Sequence, residues 1–147
     1  MSGGAAPQDS AGLERLARAI QSAGAKAVLV KGGHIEGALA TDVLFDGAAA
    51  RVFEAPRVAT RNTHGTGCTL ATAIATGLGQ GMDLVPAIER ARLFVRLALH
   101  DAPGLGQGGG RCKVWACAVV QGAWERRNLF ISNSLTPPAW LPQLLRM

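Results

Sequence analysis

The residues of this chain that could do chemistry stand together in one run, "NTHGTGCTLATAIATGLGQG", at residues 62–81. Gly65 and Gly67 come directly before Cys68 and a long apolar stretch that we expect to be helical. A helix N-terminus leaves backbone N–H groups unpaired and carries partial positive charge. A turn built from glycines lets a ligand approach that backbone, because no Cβ blocks it. The run therefore predicts an anion-binding site at this junction.

Cys68 falls in the first turn of the predicted helix, where the helix field favours the thiolate. A thiolate beside an anion site can act as a base or as a nucleophile. A second interpretation is that the turn is an ordinary loop and Cys68 a small buried apolar residue. The run is not a Walker motif, since no Gly-x4-Gly-Lys-Ser/Thr occurs in the chain.

The elements before this run predict alternating helix and strand. Residues 10–23 have apolar side chains at helical spacing, with Asp9 or Ser10 available as the N-cap and Gly24 as the end. Residues 27–30 form a short apolar run that we expect to be a strand buried on both faces. A helix followed by a buried strand is half of a parallel-sheet unit.

A hairpin and two helices are predicted next. Residues 43–45 and 51–53 are short apolar segments joined through Asp46 and Gly47, which predicts a hairpin at a sheet edge. The helix over residues 67–78 is so apolar that we expect it to be buried nearly all round. A further helix starts at Asp83, with one apolar face that comprises Leu84, Ile88, Ala91, Val95 and Ala98.

Composition limits the class of protein. The chain has 147 residues, of which 48% are hydrophobic, enough for the core of one domain. Its net charge of +5 is concentrated after residue 102, and no nucleic-acid motif accompanies it, so we expect no nucleic-acid partner. We expect no membrane segment or signal peptide. Three cysteines without a disulfide or zinc pattern indicate reduced thiols, no metal centre and a cytoplasmic location.

Three segments carry a resemblance to a known family. "VLVKGGH", "TDVLFDG" and "TRNTHGTGCTLATAIATGLGQG" occur in this order and closely resemble the C-terminal half of the hydroxymethylpyrimidine/phosphomethylpyrimidine kinases, which are ribokinase-like. The resemblance implies an α/β fold with three layers, α/β/α, in which this chain supplies the C-terminal part of a mostly parallel sheet with an edge hairpin. It assigns residues 1–107 to the kinase domain and leaves residues 108–147 as an unrelated tail.

The resemblance also implies roles for individual residues. It implies ATP-dependent phosphorylation of hydroxymethylpyrimidine and its monophosphate in thiamine biosynthesis, with ATP and Mg²⁺ as cofactors. Cys68 is implied as the catalytic base. The anion hole for the transferred phosphate is implied to comprise Gly65, Thr66, Gly67 and Cys68. The nucleotide side is implied to include Lys31, Gly32 and Thr63.

The chain departs from the family in length, because a full-length member is nearly twice as long and holds most of the pyrimidine pocket in its N-terminal half. The expected partners are therefore a small pyrimidine substrate and either a second copy of the chain or a complementing N-terminal half. Two other functions stay open. One is a non-catalytic remnant that binds phosphate or nucleotide, and the other is a pyridoxal kinase-like enzyme.

Overall fold

A computed structural model describes residues 7–33, 35–100 and 102. The chain divides into two compact units, with the boundary after Arg57. The predicted tail, residues 108–147, lies outside the described residues. The elements are, in chain order, α1 (Ser10–Gln21), β1 (Val28–Lys31), β2 (Leu39–Phe45), β3 (Ala50–Pro56), α2 (Thr66–Gly79) and α3 (Leu84–His100).

Helix α1 begins at a side-chain cap. Asp9 is the N-cap, and its carboxylate accepts a hydrogen bond from the Gly12 N–H at 2.7 Å, so Asp9 rather than Ser10 has this role. Leu13 and Ala17 are buried, and α1 packs on β1 and β2. The predicted amphipathic helix is confirmed, with burial confined to one face.

The three strands of the first unit form an antiparallel sheet in the order β1-β2-β3. The predicted hairpin is confirmed as β2 and β3, with Val43 opposite Val52. At its turn the Asp46 carboxylate accepts from the N–H groups of Ala48 and Ala49, both at 3.0 Å. Parallel pairing is not found among the described strands, although the predicted α/β class is confirmed.

The prediction that β1 is buried on both faces is wrong. Residues 28–30 are only half-buried and Lys31 is exposed, because β1 lies at one end of the described sheet and pairs only with β2 within it. The most buried strand is β2, whose residues 42–45 are all buried although Leu39 at its start is exposed. An apolar run of four residues did not distinguish these two situations.

The second unit pairs helices α2 and α3. The predicted face of α3 is confirmed for Ile88, Ala91, Val95 and Ala98, which are buried. The prediction that α2 is buried nearly all round is wrong, since among its residues only Leu70 and Gly77 are buried. None of the helices among the described residues is long and apolar enough to cross a membrane.

Candidate functional site

The start of α2 has backbone N–H groups that find no partner in the described part of the chain. Gly65 is the N-cap with φ of 83°, in the left-handed region, and it makes no side-chain cap hydrogen bond. The first helical bond runs from the Thr69 N–H to the Gly65 oxygen at 2.9 Å. Among the described residues, the N–H groups of Gly67 and Cys68 have no hydrogen-bond acceptor. These two donors are available to an external anion.

The two glycines of this turn are glycine for different reasons. Gly65 needs the left-handed conformation, which side chains other than glycine rarely adopt. Gly67 has no positive φ, and a Cβ added to it would meet no described atom within 4 Å. A helical glycine is about 1 kcal/mol less favourable than alanine. Neither conformation nor packing within the described chain requires Gly67, so the open space beside it fits the approach of a ligand.

Cys68 lies at the surface, in the first turn of α2. The interpretation of Cys68 as a small buried apolar residue is therefore wrong. Its thiol follows directly after the open Gly67 position and shares the turn with the unpaired N–H groups. A group that reacts with a bound anion needs this kind of access.

The segment that leads into α2 is held by local hydrogen bonds. The Thr66 N–H donates to the Thr63 oxygen at 3.4 Å, and Thr63 is itself exposed. Asn62 is buried, with 8% of its surface exposed, and its N–H donates to the Thr60 hydroxyl at 3.1 Å. The sequence interpretation did not identify Asn62 as a buried polar residue, although it opens the quoted run.

Lys31 and Gly32 belong to the first unit, at the end of β1. Lys31 is exposed, and no ion pair involves it among the described residues. Gly32 is buried, and its N–H donates to the Thr41 oxygen at 2.8 Å and to the Asp42 carboxylate at 3.2 Å. A Cβ on Gly32 would lie 2.3 Å from the Thr41 oxygen. Gly32 is therefore required by packing, whatever else it contacts.

Arg57 is a second residue that sequence interpretation missed. Its guanidinium donates to backbone oxygens in the loop that joins β1 to β2, directly after Lys31 and Gly32. The predicted site residues thus fall into two groups. Thr63 and residues 65–68 lie together at the start of α2, whereas Lys31 and Gly32 lie at the end of β1 in the other unit.

The start of α2 fits a phosphate but not a metal ion. Two unpaired N–H groups and an open glycine suit phosphate oxygens. Mg²⁺ prefers carboxylate oxygens and phosphates, and residues 62–81 contain no Asp or Glu. No group of three or more His, Cys, Asp or Glu residues that could hold a metal occurs in the part of the chain that the structure describes.

Two solved structures that share this fold are a pyridoxal kinase and a putative phosphomethylpyrimidine kinase. The ADP complex of pyridoxal kinase from Bacillus subtilis matches with a TM-score of 0.72 and 32% identity over 77% of this chain and 44% of that chain. A putative phosphomethylpyrimidine kinase from Bacteroides thetaiotaomicron, at 17% identity, shares the fold with a TM-score of 0.61 over 87% of this chain and 43% of its own. The fold class is ribokinase-like.

Sequence comparison then gives the family. The family model described as phosphomethylpyrimidine kinase matches residues 1–113. The hydroxymethylpyrimidine/phosphomethylpyrimidine kinase of Rhizobium meliloti is 48% identical over 76% of this chain and 42% of its own length. The thiamine biosynthesis bifunctional protein ThiED of Geobacter sulfurreducens is 47% identical over 73% of this chain and 22% of its own. The chain belongs to the phosphomethylpyrimidine kinase family, and it spans less than half the length of these relatives.

Proposed function

We propose that this chain supplies the phosphate-binding half of an ATP-dependent kinase that phosphorylates hydroxymethylpyrimidine and its monophosphate in thiamine biosynthesis. The observation that carries the proposal is the start of α2, where unpaired N–H groups, an open glycine position and an exposed thiol share one turn. Family membership gives this arrangement its reaction class, since the related kinases transfer a phosphoryl group.

In the proposed reaction the backbone N–H groups of Gly67 and Cys68 hold the phosphoryl group in transfer. Cys68 is the base that takes the proton from the hydroxymethyl group of the pyrimidine. The alcohol oxygen forms a bond to the γ-phosphorus as the bond to the bridging β–γ oxygen breaks, and ADP leaves. The chain thereby contributes positioning and charge stabilisation, which dominate phosphoryl transfer. Thr66 completes the anion hole as a member of the same turn.

We propose nucleotide contacts for Lys31 and Gly32 in the first unit and, separately, for Thr63 in the second. The exposed Lys31 ammonium offsets triphosphate charge. ATP would bind as its Mg²⁺ complex, and the start of α2 supplies no carboxylate to the metal ion. We propose that the reaction takes place in the cytoplasm.

The chain covers 42% of the Rhizobium meliloti kinase, and in this proposal residues that correspond to the rest of that kinase complete the active site. We propose that a complementing N-terminal half, or a second copy of this chain, supplies the substrate pocket. The N-terminal half of the Rhizobium meliloti kinase is a suitable segment to supply in trans.

Pyridoxal is the second candidate substrate. The likeness to Bacillus subtilis pyridoxal kinase, at 32% identity, favours it. The pyrimidine is preferred because the more similar sequences, at 47% and 48% identity, belong to proteins named for pyrimidine phosphorylation or thiamine biosynthesis. A non-catalytic protein that only binds phosphate or nucleotide would use the same turn without Cys68.

The test is a coupled assay of ATP consumption with hydroxymethylpyrimidine or pyridoxal, with the 147-residue chain alone and with the complementing half added. Cys68→Ala is the matched variant, since Cys68 is exposed and its side chain has little packing to lose. We expect pyrimidine-dependent turnover that falls by at least about a hundredfold in Cys68→Ala, within the usual range for an acid or base. Turnover unchanged in Cys68→Ala overturns the role of the thiol. Turnover only with pyridoxal favours the second substrate.

A further inference from the structure

The Arg57 guanidinium donates hydrogen bonds to four backbone oxygens of one chain segment. Nε donates to the Gly37 oxygen at 3.1 Å, and Nη1 donates to the Gly33 oxygen at 2.7 Å. Nη2 donates to the oxygens of Ile35 and of Leu39, the latter at 3.3 Å. All four acceptors belong to the loop between β1 and β2 or to the first residue of β2. One side chain thus binds every second carbonyl of this segment.

This arrangement suits a guanidinium and no other side chain. Arginine carries five N–H donors in a planar fork and no acceptor, and four of them are used here. Lysine has one ammonium on a flexible stem and cannot reach four acceptors spread along a loop. The Arg57 backbone also takes part, because its N–H donates to the Ala38 oxygen at 2.8 Å. Arg57 therefore sets the shape of the loop.

The loop that Arg57 binds begins at the residues proposed to contact the nucleotide, Lys31 and Gly32. Gly33, whose oxygen accepts from Arg57 Nη1 at 2.7 Å, follows directly after Lys31 and Gly32. The guanidinium is itself engaged by carbonyl oxygens, so Arg57 is not the group that contacts a phosphate. Its effect on a nucleotide is exerted through the backbone that it holds.

We propose that Arg57 is a positioning residue for nucleotide binding. Its hydrogen bonds fix the loop after β1 and thereby keep Lys31 and Gly32 in a conformation that can bind the phosphates. The inference rests on the proposed function, because it takes the end of β1 as the nucleotide side. It assigns Arg57 no contact with the substrate or with ATP.

The test compares Arg57→Lys with Arg51→Lys in the 147-residue chain. Arg51 is exposed on β3, and its side chain makes no hydrogen bond to any described residue, so it controls for the loss of a guanidinium. Two quantities are measured in each protein, namely amide hydrogen exchange along the first unit and the affinity for Mg–ADP.

We expect Arg57→Lys to speed exchange at residues 35–39 by about tenfold, as the loss of charge-assisted hydrogen bonds implies. Exchange in the buried part of β2, residues 42–45, stays unchanged, which separates loop release from general destabilisation. The ADP affinity falls by about tenfold, and Arg51→Lys alters neither quantity.

Unchanged loop exchange in Arg57→Lys overturns the positioning of the loop. Faster loop exchange with unaltered ADP affinity overturns its relevance to the nucleotide while the proposed function stands. No ADP binding by the unaltered chain overturns the nucleotide side of the proposed function itself, together with the part that Arg57 has in it.

Discussion

Backbone N–H groups are satisfied differently in two regions of the molecule. In the first unit the protein supplies its own carboxylates, since Asp9 accepts from Gly12, Asp42 from Gly32 and Asp46 from its hairpin turn. At the start of α2 no side-chain cap is present and no Asp or Glu occurs nearby in the sequence. The difference teaches that a helix start without an internal anion has room for an external one.

The glycines of the two regions differ in the same way. Gly32 is fixed by the backbone around it, because a Cβ there would lie 2.3 Å from the Thr41 oxygen. Gly67 meets no described atom within 4 Å of such a Cβ. Both stand in glycine-rich runs that look alike in the sequence. Gly32 is required by packing within the first unit, whereas Gly67 leaves a space that no described residue fills.

The largest expected effect comes from adding a methyl group at Gly32. Gly32→Ala forces a buried backbone to move, and we expect it to lower the free energy of unfolding by about 3 kcal/mol, the upper part of the range for overpacking. Gly33→Ala is the matched control, since its Cβ meets no described atom within 4 Å. Urea unfolding followed by circular dichroism measures both. Equal stability of the two variants would contradict the claim that packing requires glycine at position 32 but not at position 33.

Removal of an internal anion has a smaller effect. Asp9→Ala deletes the carboxylate that caps α1, and we expect it to cost about 1 kcal/mol, as for other N-caps. Asp9→Asn keeps an acceptor oxygen at the same place and serves as the control. The measurement is the same unfolding experiment. If Asp9→Ala were as stable as the unaltered chain, side-chain capping would not distinguish α1 from α2.

The smallest effect is a pH dependence at the hairpin turn. Hydrogen bonds from the N–H groups of Ala49 and Ala48 hold the pKa of Asp46 below its ordinary value of 3.8. Because the folded pKa is the lower one, the carboxylate adds stability above pH 3.8 that is lost as the pH falls through the folded pKa. We expect faster hairpin exchange in this acid range. Asp46→Asn removes this titration, so a pH profile unchanged in that variant would assign the dependence to another group.

Much of the local structure could be predicted from the sequence. The hairpin around Asp46, the buried face of α3 and an N-cap at either Asp9 or Ser10 all depend on residues close together in the chain, although the sequence left the choice between the two caps open. The apolar composition of α2 led to the wrong prediction that the helix is buried nearly all round, because small side chains allow burial without requiring it. Its residues Ala71 and Ala75 are exposed.

The site was only partly predictable for a related reason. The run from Gly65 to Cys68 carries a local signal, since glycine, helix start and thiol are adjacent. The role of Arg57 has no local sequence signal, because its hydrogen-bond partners are carbonyl oxygens in another loop of the chain. The packing that requires Gly32 to be glycine likewise depends on Thr41, across the sheet. Contacts of backbone with distant residues leave no periodic pattern.

The central claim is that the start of α2 binds the phosphate end of a nucleotide. The most direct measurement is the calorimetric affinity of the 147-residue chain for AMP-PCP with Mg²⁺, for the unaltered chain, Gly67→Val and Gly79→Val. Gly79 ends the same helix and also meets no described atom within 4 Å of an added Cβ, so it controls for a valine in α2. Loss of hydrogen bonds to a charged group predicts at least about a tenfold weaker affinity in Gly67→Val. We predict that loss in Gly67→Val and none in Gly79→Val. Equal affinities of the two variants, or no binding by the unaltered chain, would contradict the claim.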